Sequence, residues 1–250
     1  MRVFGLIGFP LSHSFSKKYF TEKFAKEGID DARYELFEID KINKLPEVLN
    51  SQDNLQGLNV TIPFKQDIFK YLDEVDAYAK EIGAVNVVKI NNGKLKGFNS
   101  DFYGFKVSLE NFLGTNTDYS ILKALVLGSG GASKAVVEAL KALNINYKII
   151  SRSKKNANSL TYQEVDIEIL STHQLVINTT PLGMYPKIDS YPDIDYNQLT
   201  ESHYLYDLVY NPEETAFMKK GKAMGAKVLN GMDMLILQAE KSWEIWNANS

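Results

Sequence analysis

A lysine and two polar side chains come together in the segment NVTIPFK, residues 59–65. Polar and apolar residues alternate along it, so Asn59 and Thr61 share one side of an extended strand while Ile62 points to the other. This pattern predicts a strand with one solvated face and one core face. The proline after Ile62 disfavours a helical conformation there, so the chain is predicted to turn before Lys65. An amine and polar side chains beyond a strand end are suited to acid–base chemistry.

A glycine-rich loop forms a second candidate site, with the sequence Gly128-Ser129-Gly130-Gly131-Ala132. An apolar strand is predicted over 122–127 before it, and an amphipathic helix over 134–143 with a strand over 147–150 after it. Small residues at such a strand-to-helix junction let the backbone approach a pyrophosphate at the helix N-terminus. The loop could also be only a tight turn, but the complete βαβ setting favours a dinucleotide site.

A basic turn follows the second strand of this βαβ unit, with the sequence Ser151-Arg152-Ser153-Lys154-Lys155. NAD-binding folds of this kind place an acidic residue here for the ribose 2′-hydroxyl, whereas an arginine accommodates a 2′-phosphate. Such a run could be a solvated surface turn. After a glycine loop at this spacing, it favours NADP over NAD.

Composition narrows the class of protein. The 250 residues are 44% hydrophobic and 24% charged, an ordinary globular balance, and their length suits one large domain or two smaller ones. The 28 basic and 31 acidic residues are interleaved, so neither a nucleic-acid partner nor an anionic membrane is expected. Since the chain has no cysteine, disulfides, thiolate metal sites and cysteine nucleophiles are excluded. We therefore expect a small-molecule substrate, and we expect no metal. No apolar run approaches the roughly eighteen residues of a membrane span, so we expect a cytoplasmic protein.

The elements that must position these residues alternate between strand and helix. Strands are predicted over 3–8, 34–39, 55–62, 85–90, 122–127, 147–150, 175–178 and 204–209, and helices over 16–28, 134–143 and 234–246. A polar stretch at 113–120 separates the two halves. The alternation favours an α/β fold with a largely parallel sheet.

Eight segments taken together resemble the shikimate dehydrogenase family, in family order and over almost the whole chain: NVTIPFK, GAVNVV, NSDFYG, GSGGASKAV, SRS, NTTPLGM, DLVYNP and ILQAEKSW. The resemblance implies reversible hydride transfer between NADPH and 3-dehydroshikimate, giving shikimate. It also implies two α/β domains: a substrate-binding domain at 1–101 plus 234–250, to which the last helix returns, and a Rossmann-like NADP-binding domain at 102–233. The oligomeric state is left open between monomer and homodimer.

The resemblance also implies a role for each matching residue. Lys65 and Asp101 match the catalytic pair. The substrate-binding positions fall on Ser14, Ser16, Thr61, Asn86, Asp101, Tyr210 and Gln238. The cofactor-binding positions fall on Gly128, Ser129, Gly130, Gly131, Ala132, Ser151, Arg152, Ser153, Lys154, Leu208 and Gly231. Judged without the family, Ser14, Ser16 and Asp101 could each be helix N-caps.

Some positions depart from the family pattern, and other functions stay open. Lys17 replaces a usual proline, Ser100 a usual threonine, and Asp233 a usual glycine beside the nicotinamide edge, which puts detailed cofactor affinity in doubt. The alternatives are a quinate/shikimate dehydrogenase with relaxed specificity and a catalytically silent NADP-binding regulator. The former usually has an acidic residue near the adenine ribose, which 151–155 lacks, and the latter need not retain Lys65 and Asp101. Methylenetetrahydrofolate dehydrogenases share the two-domain layout but fit the SHSFS and NTTPLGM segments poorly.

Overall fold

The computed structural model describes residues 1–12, 14–154 and 158–248. The chain forms two compact units, of which the first comprises Met1–Ser100 with Ala239–Ser250 and the second Asp101–Gln238. Within the described residues each unit contains one six-stranded sheet with helices, so the α/β prediction is confirmed.

The first unit begins with a parallel arrangement. Its strands and helices are β1 (Arg2–Gly8), α1 (Phe15–Glu27), β2 (Ala32–Glu38), α2 (Leu45–Asn50), β3 (Leu55–Val60), β4 (Glu74–Val75), α3 (Ala77–Ile82), β5 (Val87–Asn91) and β6 (Lys94–Phe98). The sheet order is β2-β1-β3-β5-β6-β4, and β1 pairs in parallel with both β2 and β3.

This sheet is mixed because β5 runs antiparallel to both β3 and β6. The expectation of a largely parallel sheet therefore needs correction for the first unit. The β5–β6 hairpin turns at Asn92 and Gly93, which both have positive φ, at 49° and 76°. Two consecutive residues with positive φ are typical of the type I′ turn that Asn-Gly favours.

The predicted core position of Ile62 is also wrong. β3 ends at Val60, and the Ile62 side chain is 72% exposed. Val60, by contrast, is 1% exposed and belongs to a core with Leu58 and Val88. The chain leaves the sheet at Thr61, so the alternating pattern of the strand no longer governs Ile62.

The last helix, α8 (Met232–Asn247), begins in the second unit and ends in the first. Its Trp246 stacks on Phe4 with ring centroids 4.8 Å apart, and its indole nitrogen donates to Val88 O at 3.0 Å. A Cβ at Gly57 would lie 2.2 Å from that nitrogen, so only glycine leaves room for the indole. The end of α8 is thereby fixed to the sheet of the first unit.

The second unit is a doubly wound sheet. It contains α4 (Ser100–Leu113), whose first residue belongs to the first unit, β7 (Lys123–Leu127), α5 (Gly131–Ala142), β8 (Asn146–Ser151), β9 (Ser159–Thr161), α6 (Ile167–Thr172), β10 (Leu175–Asn178), β11 (Tyr204–Asp207), α7 (Ala216–Ala223) and β12 (Lys227–Leu229).

The six strands are ordered β9-β8-β7-β10-β11-β12, and all described pairs are parallel. In chain order this is 3-2-1-4-5-6, the order of dinucleotide-binding folds. The order reverses between β7 and β10, and ligands of open α/β sheets bind beyond the carboxyl ends of the strands at such a point.

Candidate active site

Three polar residues of the first unit lie at the same edge of its sheet. Thr61 follows β3, and Asn86 precedes β5, which is antiparallel to β3, so the two residues share an edge. The backbone pairs them further, since Val60 N donates to Asn86 O at 2.9 Å. Ser14 lies beyond the carboxyl end of β1, the parallel neighbour of β3.

Lys65 is brought to this edge by the predicted turn. Phe64 N donates to Thr61 O at 2.9 Å, which closes the turn, and Val85 N then donates to Lys65 O at 2.8 Å. Lys65 is half-buried. Its backbone is thus fixed beside the residue that precedes Asn86.

The side chain of Asn86 is 5% exposed and is oriented by Ser100. Its Oδ1 accepts from Ser100 N at 2.7 Å, and its Nδ2 donates to Ser100 Oγ at 3.0 Å. Ser100 opens α4, and Asp101 is the next residue in that helix. Asp101 lies inside the first turn, so the alternative that it only caps the helix does not hold. Ser100, at the position where the resemblance gives a threonine, therefore keeps a hydroxyl, and that hydroxyl is a partner of Asn86.

A partly buried chain of hydrogen bonds joins Ser16 to Asn86. The Ser16 hydroxyl bonds to the phenol of Tyr34, whose pKa is raised by burial. Tyr34 donates to Asn59 Oδ1 at 2.8 Å. Asn59 Nδ2 donates to Ser242 Oγ at 2.9 Å and to Asn86 O at 3.3 Å. Sequence reasoning assigned Asn59 to a solvated face and missed Tyr34 and Ser242, because their partners are distant in sequence.

Ser14 differs from Ser16. It occupies the N-cap position of α1, but its side chain makes no capping hydrogen bond. Its Oγ is buried and is without a hydrogen-bond partner among the described residues. Ser16 lies within α1, so neither serine stabilises the helix as a side-chain cap. A buried hydroxyl without a partner is a position at which an acceptor of a ligand could bind.

In the second unit, Asp101 and Gln238 are brought near one another by a close helix contact. Gly104 follows Asp101 by three residues and therefore lies on the same face of α4. A Cβ at Gly104 would lie 2.7 Å from Met234 O and 3.0 Å from Gln238 N. Glycine lets α4 approach α8 at the turn that carries Gln238. Tyr210, in the loop after β11, is half-buried.

The glycine loop lies at the point where the strand order reverses. Gly128 follows β7 with φ of 109°, and a Cβ there would lie 2.7 Å from Thr179 Oγ1. Gly130 is the N-cap of α5. A Cβ at Gly130 or Gly131 would meet no described protein atom within 4 Å. Protein packing therefore accounts for Gly128 but leaves open space at the other two glycines, which suits a bound phosphate group.

The basic turn follows β8 at the same edge of the sheet. Arg152 and Lys154 are exposed, and Ser151 Oγ donates to Ser153 O at 2.7 Å. Lys154 pairs with Glu164 at 3.3 Å. Glu164 thus contributes an acidic group that inspection of 151–155 could not find, while Lys155 lies outside the described residues.

Leu208 and Gly231 lie together. A Cβ at Gly231 would be 2.1 Å from Leu208 O, and Gly231 N donates to Val209 O at 3.2 Å. Leu208 follows the buried Asp207, which the sequence analysis did not single out. Asp233, in the first turn of α8, is exposed.

Among residues 1–12, 14–154 and 158–248, no helix combines the length and apolar character of a membrane span. No three histidine, aspartate or glutamate side chains among them are grouped as metal ligands.

Comparisons with known proteins agree with these features. The family model described as the shikimate dehydrogenase substrate binding domain matches residues 6–88. A relative named shikimate dehydrogenase (NADP(+)), from Methanococcus maripaludis, is 41% identical over 260 residues, which cover 98% of this chain and 91% of the relative.

Solved structures share the fold over nearly the full length. The crystal structure of shikimate dehydrogenase from Aquifex aeolicus has a TM-score of 0.86 and 34% identity, covering 99% of this chain and 92% of that chain. Quinate dehydrogenase from Corynebacterium glutamicum in complex with NAD has a TM-score of 0.87 and 25% identity, covering 98% of this chain and 93% of that chain.

Proposed function

This chain belongs to the shikimate dehydrogenase family, and on that premise we propose that it catalyses the reversible NADPH-dependent reduction of 3-dehydroshikimate to shikimate. The observation that carries the proposal is the 41% identity with an NADP-dependent shikimate dehydrogenase over 98% of the chain. In this role the domain spanning 1–101 and 234–250 binds the substrate, and the domain at 102–233 binds the cofactor.

NADP fits the second unit. The open space at Gly130 and Gly131, at the N-terminus of α5, can hold the pyrophosphate, with Gly128, Ser129 and Ala132 completing the loop. The exposed Arg152 can pair with the 2′-phosphate, supported by Lys154 and the hydroxyls of residues 151 and 153. Leu208 and Gly231 bind the nicotinamide end. Bound NADPH supplies the hydride.

The substrate is a small polyhydroxylated acid held by neutral donors. Ser14 and Ser16 bind its carboxylate, with the free hydroxyl of Ser14 as a donor that no described protein group occupies. Thr61 and Asn86 bind ring hydroxyls. Tyr210 and Gln238 complete the set of substrate contacts.

Lys65 and Asp101 perform the proton chemistry. When hydride reaches the carbonyl carbon, negative charge develops on the oxygen, and the Lys65 ammonium stabilises that charge and donates its proton. In the oxidation of shikimate the neutral amine removes the hydroxyl proton. Asp101 accepts a hydrogen bond from a neighbouring substrate hydroxyl.

The alternative of a quinate/shikimate dehydrogenase is favoured by one observation. Glu164 lies 3.3 Å from Lys154, so an acidic side chain does accompany the basic turn. A carboxylate near the adenine ribose suits the 2′-hydroxyl of NAD. Arg152 has no such acidic partner among the described ion pairs, which supports NADP as the principal cofactor.

The test is an assay of reduced nicotinamide absorbance with shikimate and quinate, each crossed with NADP and NAD. We expect shikimate with NADP to give the highest kcat/KM. Comparable turnover of quinate, or of NAD, would replace the proposal with the relaxed enzyme. Binding of NADP without turnover of either acid would instead indicate the silent regulator.

A further inference from the structure

A buried carboxylate lies at the carboxyl end of β11, where no catalytic or binding role has been assigned. Asp207 is 0% exposed, and burial raises its pKa to about 6. Its Oδ1 accepts from Asn178 Nδ2 at 2.9 Å and from Val209 N at 3.0 Å. Its Oδ2 accepts from Thr215 Oγ1 at 2.6 Å. Three donors from three segments offset part of the desolvation of this carboxylate, and burial remains the larger effect on its pKa.

One branch of this network leads to the glycine loop. Asn178 ends β10, and its Oδ1 accepts from Thr180 N at 3.0 Å and from Thr180 Oγ1 at 2.6 Å. Thr179 and Thr180 lie behind Gly128, because a Cβ there would be 2.7 Å from Thr179 Oγ1 and 2.9 Å from Thr180 Cγ2. Asp207 therefore supports, through Asn178, the wall against which the loop folds.

The other branch leads to the nicotinamide end. The bond from Val209 N fixes the backbone just after Leu208, and Val209 O accepts from Gly231 N at 3.2 Å. Thr215, the third donor, is also the N-cap of α7 and accepts from Met218 N at 3.3 Å. The segment from Leu208 to Thr215 is thus held at both ends by the same carboxylate.

We propose that Asp207 is a positioning residue that sets both ends of the NADP site at once, the glycine loop through Asn178 and the nicotinamide end through Val209. This inference rests on the proposed function for the identity of the dinucleotide. A site built from separate loops binds well only if those loops are held in the bound geometry beforehand. Among residues 1–12, 14–154 and 158–248, Asp207 is the side chain in this network that hydrogen-bonds to both branches.

The test compares the NADP affinities of three proteins by isothermal titration calorimetry, without substrate. In Asp207→Asn one oxygen acceptor becomes a donor facing donors, so we expect NADP to bind about tenfold more weakly. The matched control is Tyr206→Phe. Tyr206 precedes Asp207 on the same strand, is 0% exposed and donates to Ser108 Oγ at 2.8 Å, so the control also loses a buried hydrogen bond. It should keep the wild-type affinity within about twofold.

A second pair of variants decides the matter if Asp207→Asn does not fold. Thr215→Val removes the donor to Oδ2 together with the side-chain cap of α7 and should weaken NADP binding by several-fold. Thr215→Ser retains the hydroxyl for both bonds and should keep the wild-type affinity. Wild-type affinity in Asp207→Asn, or an equal loss in Thr215→Val and Thr215→Ser, would overturn the inference. A wild-type protein that binds NADP but leaves shikimate unchanged refutes the proposed function, and the order of affinities still decides the role of Asp207. A wild-type protein that does not bind NADP refutes both.

Discussion

Removing the buried hydroxyl of Ser14 should have an effect unlike that of removing most buried polar groups. Its hydroxyl is buried without a hydrogen-bond partner among the described residues, in a position where capping of α1 would have been possible. Ser16, two residues later, bonds instead to Tyr34. We predict that Ser14→Ala leaves the ligand-free protein as stable or more stable, while it weakens the binding of shikimate.

The two magnitudes follow from the same hydroxyl. A buried hydroxyl without a partner costs about 1–3 kcal/mol, so its removal should raise the free energy of unfolding by up to about 1 kcal/mol once lost packing is subtracted. For a chain of this length that corresponds to roughly 2–4 °C in Tm. A hydrogen bond to a carboxylate contributes about 1.5–3 kcal/mol, so shikimate should bind roughly 10- to 100-fold more weakly.

The assay pairs thermal unfolding without ligand with calorimetric titration of shikimate, and Ser16→Ala is the matched control. Since Ser16→Ala breaks a hydrogen bond to the buried Tyr34, it should lower Tm. The prediction requires the two variants to differ in the sign of their stability change. A Tm for Ser14→Ala that falls as far as that of Ser16→Ala, or a shikimate affinity within twofold of wild type, would refute the reasoning.

Three further predictions concern proton transfer, cofactor choice and pH. Lys65→Met should lower kcat by a factor on the order of 10² or more with little change in KM for shikimate. Lys70 is exposed, and Lys70→Met should remain near wild type in steady-state kinetics. A normal kcat with a greatly raised KM in Lys65→Met would make Lys65 only a binding residue. Arg152→Asp should raise KM for NADP far more than KM for NAD, because a phosphate partner is replaced by a like charge; equal losses would contradict the assignment. Burial raises the pKa of Asp207 from 3.8 to about 6, so between these two pH values the native state binds more protons than the unfolded state. The free energy of unfolding therefore falls as pH rises through this range, by about 3 kcal/mol in total. Urea unfolding should therefore show Asp207→Asn gaining stability relative to wild type from pH 4 to 7, and a difference independent of pH would be the contrary result.

Local patterns were sufficient for the strand, loop and helix around the glycine loop of the second unit. The apolar run before Gly128 and the helical periodicity after Gly131 predicted β7 and α5, which the structure places at Lys123–Leu127 and Gly131–Ala142. Strand, loop and helix there are contiguous in sequence. Their order therefore determines the geometry without reference to distant residues.

The antiparallel part of the first sheet has only a short signal in the sequence, the dipeptide Asn92-Gly93, which the strand prediction over 85–90 does not include. Asn92-Gly93 lies between two segments of alternating character and is a strong indication of a two-residue hairpin. The structure contains that hairpin, and β6 brings Asn99 and Ser100 to the edge at which Asn86 lies. The prediction that Ile62 is buried was wrong for a different reason. The alternation that predicts burial applies only while the chain remains in the sheet, and the chain leaves it at Thr61.

The supporting networks could not have been predicted from neighbouring residues. Tyr34 precedes Asn59 by 25 positions and Ser242 follows it by 183. Asp207 depends on Asn178, which lies 29 positions before it. Each of these side chains looks, in the sequence alone, like an ordinary polar residue at a strand end or on a helix. Their function follows from partners that only the folded chain supplies.

Hydrogen-bond capacity explains why Asn59 and Ser14, both polar residues at one sheet edge, have different roles. Asn59 uses its carbonyl oxygen for Tyr34 and its amide hydrogens for Ser242 and the backbone of Asn86, so it has no donor left for a ligand. Ser14 has a buried hydroxyl with no partner in the described chain. The amide donors of Asn59 are thus all engaged within the protein, whereas the hydroxyl of Ser14 can donate to a substrate acceptor. Asn59 therefore belongs to the support of the site, although it lies in the same motif as Thr61 and Lys65.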